Sequence, residues 1–186
     1  MRTWSKAFIL ALLGLLSIVA PLRIASADNG SGTFKFLVGT GLLCSLGVPN
    51  ACPDVSSDPS GDMVQIAGQG TLSIHANSVS GSGTFKHLAP DGTVKAAGTW
   101  TALQLMSFNS FGTSPSLPAN FLGGKAVILV QLSVGGTPVH TGVLTVICDV
   151  GNPPHGLMEG FKLVVQDTPF NFNKQVSGIT LFIAQT

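Results

Sequence analysis

The sequence predicts an all-β protein, a single domain built as an antiparallel meander of about eight strands. After Asp28, helical periodicity is almost absent, and apolar residues alternate with polar ones or form short β-branched runs. Gly, Pro, Asn and Asp bound these runs, as they bound strands. Most connections are too short for the crossovers that parallel strands need, so consecutive strands are expected to be antiparallel neighbours.

The strands follow one another along the chain with mostly short turns between them. The predicted positions are approximately 32–38, 63–76, 79–88, 93–107, 125–134, 139–149, 158–167 and 175–185. The clearest turn is Ala89-Pro90-Asp91-Gly92, because proline presets φ and glycine accepts a left-handed conformation. Residues 39–61 and 108–124 are the two longer connections. Such a meander closes as an up-and-down β-barrel, which we favour, or folds as a two-sheet β-sandwich.

The hexapeptide GSGTFK occurs twice, at residues 30–35 and 81–86. The segments that follow the two copies differ, and a similar glycine–threonine–apolar pattern starts other predicted strands. We therefore interpret it as a feature of strand starts and not as a duplicated module. Glycine in such a position permits a bulge or the close approach of a neighbouring group.

Residues 1–27 have the features of a secretory signal peptide. Arg2 and Lys6 precede an uncharged apolar run over 7–20, and Ala25-Ser26-Ala27 provides a cleavage site. The run is shorter than the roughly 20 residues that a spanning helix needs. We expect residues 28–186 to be one secreted domain, extracellular or periplasmic, with no membrane span after cleavage.

The charge of this domain is low. It contains six lysines, no arginine and eight acidic residues, so its net charge is −2. Scattered lysines do not form the basic face that nucleic-acid binding requires, and we expect no nucleic-acid partner. With few charges to keep copies apart, self-association or a surface partner is expected instead.

No catalytic or metal-binding pattern stands out. The glycines do not form a nucleophile elbow or a nucleotide-binding loop, and the four histidines lack close ligand spacing. His75 and His87 belong to one predicted hairpin, but whether they share a face depends on its register. The acidic segment DVSSDPSGD does not have EF-hand spacing. We predict no catalytic residues, no cofactor and no metal site.

Three cysteines, Cys44, Cys52 and Cys148, leave one unpaired if a single disulfide forms in an oxidising compartment. Both Cys44–Cys52, which closes a small loop, and Cys52–Cys148, which closes a long one, are compatible with the sequence.

Five segments occur in an order that resembles a group of uncharacterised secreted microbial β-proteins. They are Cys52-Pro53-Asp54-Val55, GDMVQIAGQGTLSIH at 61–75, GTWTA at 98–102, LMSFNSFG at 105–112 and GNPP at 151–154. The resemblance covers most of residues 50–186. It implies no activity and no site residues. It does imply a Cys52–Cys148 disulfide, with Cys44 as the additional cysteine.

These observations favour a secreted, non-enzymatic β protein with a structural or surface role that includes self-association. The alternative is a lipocalin-like carrier that holds a small apolar ligand inside the barrel, with Trp100 and Phe85 lining the site. A third hypothesis is a fibre subunit that donates the strand at 30–39 to a neighbouring copy.

Overall fold

The computed structural model describes residues 32–185. The predicted signal peptide, residues 1–27, lies outside the described residues. Between residues 32 and 185, no helix has both the length and the apolar character needed to cross a membrane.

The described chain consists of antiparallel strands and one short 3₁₀ helix, Gly41–Ser45. The strands are β1 (Thr33–Val38), β2 (Asp54–Ser57), β3 (Met63–Ser73), β4 (Ser78–Leu88), β5 (Val94–Thr113), β6 (Phe121–Val134), β7 (Thr137–Cys148), β8 (Gly160–Val165), β9 (Asn171–Phe172), β10 (Lys174–Ser177) and β11 (Thr180–Ala184).

Six strands form a closed hydrogen-bonded ring in the order β1, β3, β4, β5, β6, β11 and back to β1. From β3 to β9, each strand also pairs with the next one along the chain. The prediction of an all-β antiparallel meander is therefore confirmed, and the ring is of the barrel kind. The segment considered as a donor strand lies in this ring as β1, between β3 and β11.

Two strands of the wall, β3 and β6, each pair with two different strands along one edge. One edge of β3 pairs with β1 at residues 68–73 and with β2 at residues 63–66. Similarly, β6 pairs with β11 at its first two residues and with β7 further along. The end of the barrel where β3 pairs with β2 and β6 pairs with β7 is called the second end. Here the wall continues through β7, β8 and β9 on one side and β2 and β10 on the other. The Ser56 hydroxyl donates to the Phe161 carbonyl at 2.6 Å and joins the two sides.

The predicted long connection at 108–124 is shorter in the structure. β5 extends to Thr113 and β6 starts at Phe121, so the loop spans only residues 114–120. The pairing of β5 with β6 shifts register at three places, between Ala102 and Gln104, Leu105 and Ser107, and Ser110 and Gly112. Each bulge reverses the alternation of inward and outward side chains. The sequence of a long bulged strand therefore does not alternate regularly over its full length.

Two short strands were not predicted, and one predicted strand is divided. β2 lies inside the connection at 39–61, and β9 has only two residues. The predicted strand 175–185 is interrupted at Gly178, whose φ of +104° is unfavourable for other residues. It forms β10 and β11, which pair with different neighbours.

The two GSGTFK copies flank the same strand. The first contributes to β1 and the second to β4, and both pair with β3. In the second copy, Gly81 and Gly83 lie directly opposite Gly70 and Gly68 of β3. A Cβ atom on Gly70 or Gly81 would collide with or crowd the ring of Phe36, and one on Gly68 or Gly83 would collide with Trp100.

These four glycines therefore form a flat backbone surface on which two aromatic rings lie. Phe36 and Trp100 are 0% and 1% exposed, and their ring centroids are 6.4 Å apart. Next to them, the ring of Phe108 lies 5.0 Å from both Phe34 and Phe182. We call this aromatic cluster, Phe34, Phe36, Trp100, Phe108 and Phe182, the packed end of the barrel.

The disulfide joins Cys44 and Cys52, whose Cα atoms are 5.4 Å apart. The Cys52–Cys148 pairing implied by the resemblance is wrong, and the alternative pairing is the one present. Cys148 ends β7 opposite Gly124 and is 1% exposed in the hydrophobic core, so its thiol is free. Cys44 and Cys52 instead bracket the loop that follows the 3₁₀ helix.

We predict that Gly83→Ala lowers the free energy of unfolding by about 1–3 kcal/mol, the usual cost of overpacking a well-filled core. The new Cβ would lie 2.6 Å from both Trp100 Nε1 and Gly68 Cα. The matched control is Ser82→Ala, on the exposed face of the same strand. Urea unfolding followed by circular dichroism measures both variants, and equal stabilities would contradict this account of the glycines.

Candidate ligand cavity

A cavity of about 310 Å³ lies at the second end of the barrel, where β7, β8 and β9 complete the wall. It is lined almost entirely by apolar side chains, with two histidines. The lining residues are Val64, Phe85, His87, Ala96, Leu132, Val134, Val139, His140, Leu163, Val165, Phe170 and Phe172. Cavities that bind small molecules in proteins have this size and character.

Strand alternation explains why these residues face inward. Phe85 and His87 are two residues apart on β4, so they lie on one face of the sheet. Ala96 of β5 is the cross-strand partner of His87, and its small side chain leaves room beside the imidazole. Phe85 thus lines the cavity, as the carrier hypothesis requires.

Trp100 does not line this cavity. It is buried in the packed end against Phe36, and its indole N–H has no hydrogen-bond partner among the described residues. The sequence-based expectation that Trp100 lines a ligand site does not apply to this cavity. It helps to fill the packed end of the barrel.

His87 is the polar group whose surroundings are most clearly organised. Its Nε2 lies 2.8 Å from Asp62 Oδ2, and Lys95 Nζ donates to the same oxygen at 2.6 Å. The hydrogen bonds from Lys95 and then from His87 lower the pKa of Asp62. Asp62 is consequently a carboxylate at neutral pH, held between a cation and an imidazole.

The backbone around Asp62 is fixed by a second aspartate. Asp58 Oδ1 accepts hydrogen bonds from Ser60 N at 2.9 Å and from Asp62 N at 3.1 Å. The Asp58 N–H in turn donates to the Asp62 carbonyl at 2.9 Å. The segment DPSGD is therefore a tight turn that presents the Asp62 carboxylate to His87.

The ring of His87 is also held by aromatic contacts. It meets Phe170 and Phe172 edge-on, with centroid distances of 4.7 and 5.3 Å. With Asp62 at one ring nitrogen and two phenyl rings around it, the imidazole has a defined orientation. Its side chain is 12% exposed, so it is neither sealed in the core nor free in solvent.

The rim of the cavity is open to solvent. Val134 and Val139 are 39% and 46% exposed, and His140 is exposed as well. The His140 carbonyl accepts a hydrogen bond from Gln131 Nε2 at 2.7 Å, which fixes the start of β7 against β6. An apolar rim of this kind offers a small ligand a path to the interior.

The other sequence candidates do not come together. His75 lies in the turn of the β3–β4 hairpin and His87 near its open end, roughly 30 Å away along the strands. Among residues 32–185, no three His, Cys, Asp or Glu side chains are grouped so that they could hold a metal ion. Asp54, Asp58 and Asp62, adjacent in sequence, each have a different environment.

The buried Asp54 and the partly buried Glu159 form a separate pair of carboxyl groups, which we call the carboxyl pair. Asp54 is fully buried, and neither of its oxygens has a hydrogen-bond partner in the described part of the chain. Burial, followed by the charge of Glu159, raises the pKa of Asp54 to about 8. Burial likewise raises the pKa of Glu159 to about 7.

Glu159 has partners that Asp54 lacks. Its two carboxylate oxygens accept hydrogen bonds from the backbone N–H groups of Asp149, at 2.7 Å, and Thr180, at 2.6 Å. These bonds join the segment after β7 to the start of β11. Glu159 therefore links these segments, and neither member of the carboxyl pair lines the cavity.

An apolar groove of about 400 Å³ lies near Glu159 and the disulfide loop, between Leu43, Leu117, Phe121 and Leu181. Cys148 borders it, but burial raises the pKa of its thiol to about 12, so the reactive thiolate is suppressed. Glu159 also lines this groove, but its carboxylate oxygens already accept hydrogen bonds from the N–H groups of Asp149 and Thr180.

The sequence did contain a signal for the position of His87. The two repeats align Phe36 with His87, two residues after an aligned pair of inward phenylalanines, Phe34 and Phe85. Alternation therefore places His87 inside the barrel. Its contact with Asp62 could not be predicted, because it depends on the turn at 58–62 and on where β4 ends.

Comparisons of the chain with protein-family models, with curated proteins and with solved structures gave no significant match.

We predict that Asp54→Asn stabilises the protein at pH 8. In the unfolded chain Asp54 ionises near pH 4, whereas in the folded protein it keeps its proton until about pH 8. The folded state thus binds more protons across this interval, and the stability of the wild type decreases as the pH rises through it. Each pKa unit corresponds to about 1.4 kcal/mol, so the gain is on the order of a few kcal/mol.

The measurement is urea unfolding at several pH values from 4 to 9. The control is Asp91→Asn, because Asp91 is an exposed turn residue whose pKa is lowered by the Thr93 N–H. It should give no gain at high pH. A loss of stability in Asp54→Asn throughout this range would show that the charge of Asp54 does not destabilise the folded state.

Proposed function

We propose that the protein binds and carries a small apolar ligand in the cavity at the open end of its barrel. The observation that carries the proposal is the cavity itself, about 310 Å³ of space at the end of the barrel with the open rim, lined by apolar side chains and one oriented imidazole. Apolar cavities of about 150 Å³ already hold a benzene molecule, so this one has room for a molecule with two fused rings.

The proposal concerns binding and not chemical conversion. The polar side chains that line the cavity are His87 and His140, and His140 lies at the exposed rim. Burial of an apolar molecule here would contribute roughly 25 cal/mol for each Å² removed from water. That gain is sufficient for binding, and the proposal requires no catalytic group in the cavity.

We also propose that the protein acts outside the cytoplasm. Two observations support this setting: the signal-peptide pattern at residues 1–27 and the disulfide between Cys44 and Cys52. Disulfides persist in secreted and periplasmic proteins and are rare in the cytosol. A carrier in such a compartment would protect an apolar compound from water.

A structural, self-associating role is the second candidate. It is favoured by the exposed apolar side chains of Leu103 and Met106 on β5, which are 51% and 55% exposed. Interaction surfaces usually present several hundred Å² of contiguous apolar area, more than two side chains provide. The apolar cavity, with its oriented imidazole, therefore supports the carrier role better.

We predict that Ala96→Leu strongly weakens ligand binding, because the larger side chain would fill the cavity beside His87. The probe is the apolar dye N-phenyl-1-naphthylamine, whose fluorescence increases when it leaves water. The wild type should bind one dye per chain, and Ala96→Leu should bind it at least tenfold more weakly. The control is Ala97→Leu, because Ala97 is exposed on the outer face of the same strand.

Unchanged dye binding in Ala96→Leu, with the fold preserved by circular dichroism, would show that the dye binds elsewhere. No saturable binding by the wild type would contradict the carrier function itself.

A further inference from the structure

The one polar side chain deep in the cavity occupies a position where the matching repeat has an aromatic. Phe34 and Phe85 lie inside the two GSGTFK copies, and Phe36 and His87 are the residues that directly follow them. Phe34 and Phe36 are buried in the packed end. The inward position after the second copy thus has a histidine where that after the first has a phenylalanine, and this difference introduces a hydrogen-bonding group into the cavity.

The ionised Asp62 determines which nitrogen of His87 carries the proton. A carboxylate only accepts hydrogen bonds, so the Nε2 atom, 2.8 Å from Asp62 Oδ2, must donate. In a neutral imidazole the other nitrogen, Nδ1, then has a free lone pair. Lys95 reinforces this arrangement, since its ammonium group keeps Asp62 charged.

Nδ1 has no hydrogen-bond partner among residues 32–185, and it is not one of the sealed polar atoms of the described chain. It belongs to a side chain that lines the cavity and is held edge-on against Phe170 and Phe172. A fixed acceptor in an apolar cavity selects for a ligand that brings a donor, because a ligand without one leaves the acceptor unsatisfied.

We propose that the ligand is a small apolar molecule with a hydroxyl group, a phenol or an alcohol, whose O–H donates to His87 Nδ1. An anionic ligand is disfavoured, because the carboxylate of Asp62 lies beside His87 and the ammonium group of Lys95 already pairs with that carboxylate. This inference rests on the carrier function proposed above and specifies its ligand class.

The test compares three probes of similar size by isothermal titration calorimetry: 2-naphthol, 2-methylnaphthalene and 2-naphthoate. The wild type should bind 2-naphthol about tenfold more tightly than 2-methylnaphthalene, the ratio expected for one hydrogen bond of 1–1.5 kcal/mol. It should bind 2-naphthoate most weakly. In His87→Phe, which introduces the residue that follows the first GSGTFK copy, the preference for 2-naphthol should disappear while 2-methylnaphthalene still binds.

Equal binding of 2-naphthol and 2-methylnaphthalene by the wild type would overturn this inference and leave the carrier function intact. A preference for 2-naphthoate would also overturn it, because His87 would then act as a cationic donor. Failure of all three probes and of the dye would contradict the carrier function as well.

A second measurement does not depend on how His87→Phe folds. In the wild type, the ¹⁵N resonances of the His87 ring should show a protonated Nε2 and an unprotonated Nδ1. The Nδ1 resonance should shift when 2-naphthol is added and remain nearly unchanged with 2-methylnaphthalene. A protonated Nδ1 in the free protein, or equal shifts with both probes, would refute the assignment of Nδ1 as the acceptor.

Discussion

The contact between aromatic rings and glycine backbone in the β3–β4 hairpin is the constraint on which the rest of the barrel depends. Gly68, Gly70, Gly81 and Gly83 face one another in directly opposed pairs, and the rings of Phe36 and Trp100 occupy the space that their Cβ atoms would take. Glycine inside a strand costs roughly 0.5–1 kcal/mol relative to alanine. Full burial of a large aromatic side chain removes about 150–250 Å² from water. The free energy gained by this burial exceeds the cost of the glycines.

The same packing explains why the two ends of the barrel differ. Where the glycines lie, the rings can approach the wall closely and fill the interior, and Trp100 is 1% exposed. Towards the other end the wall gains β7, β8 and β2, and small residues such as Ala96 face space that no ring fills. The polar groups of the site, His87, Asp62 and Lys95, meet at this end because β4 ends and β5 begins beside the turn at 58–62.

Much of the wall could be predicted from local pattern, whereas contacts set by distant segments could not. Alternation predicted β3, β4 and β7 well, because their registers are regular over most of their length. The bulges of β5 and the short β2 have no clear periodicity, so their paths depended on their partners. The disulfide pairing is not predictable for a similar reason, since the burial of Cys148 is a property of the assembled core. The inward position of His87 follows from the repeat, but a single histidine without spaced partners forms no motif.

The central claim is that one end of the barrel is packed solid by rings on glycine and the other end retains a cavity for a ligand. The most direct measurement is a crystal structure of the protein soaked with 2-naphthol. We predict density for one molecule between Phe85 and Phe172, near His87, with Phe36 and Trp100 unmoved. A structure in which the cavity is filled by the protein's own side chains, or in which the probe displaces Trp100, would contradict the account.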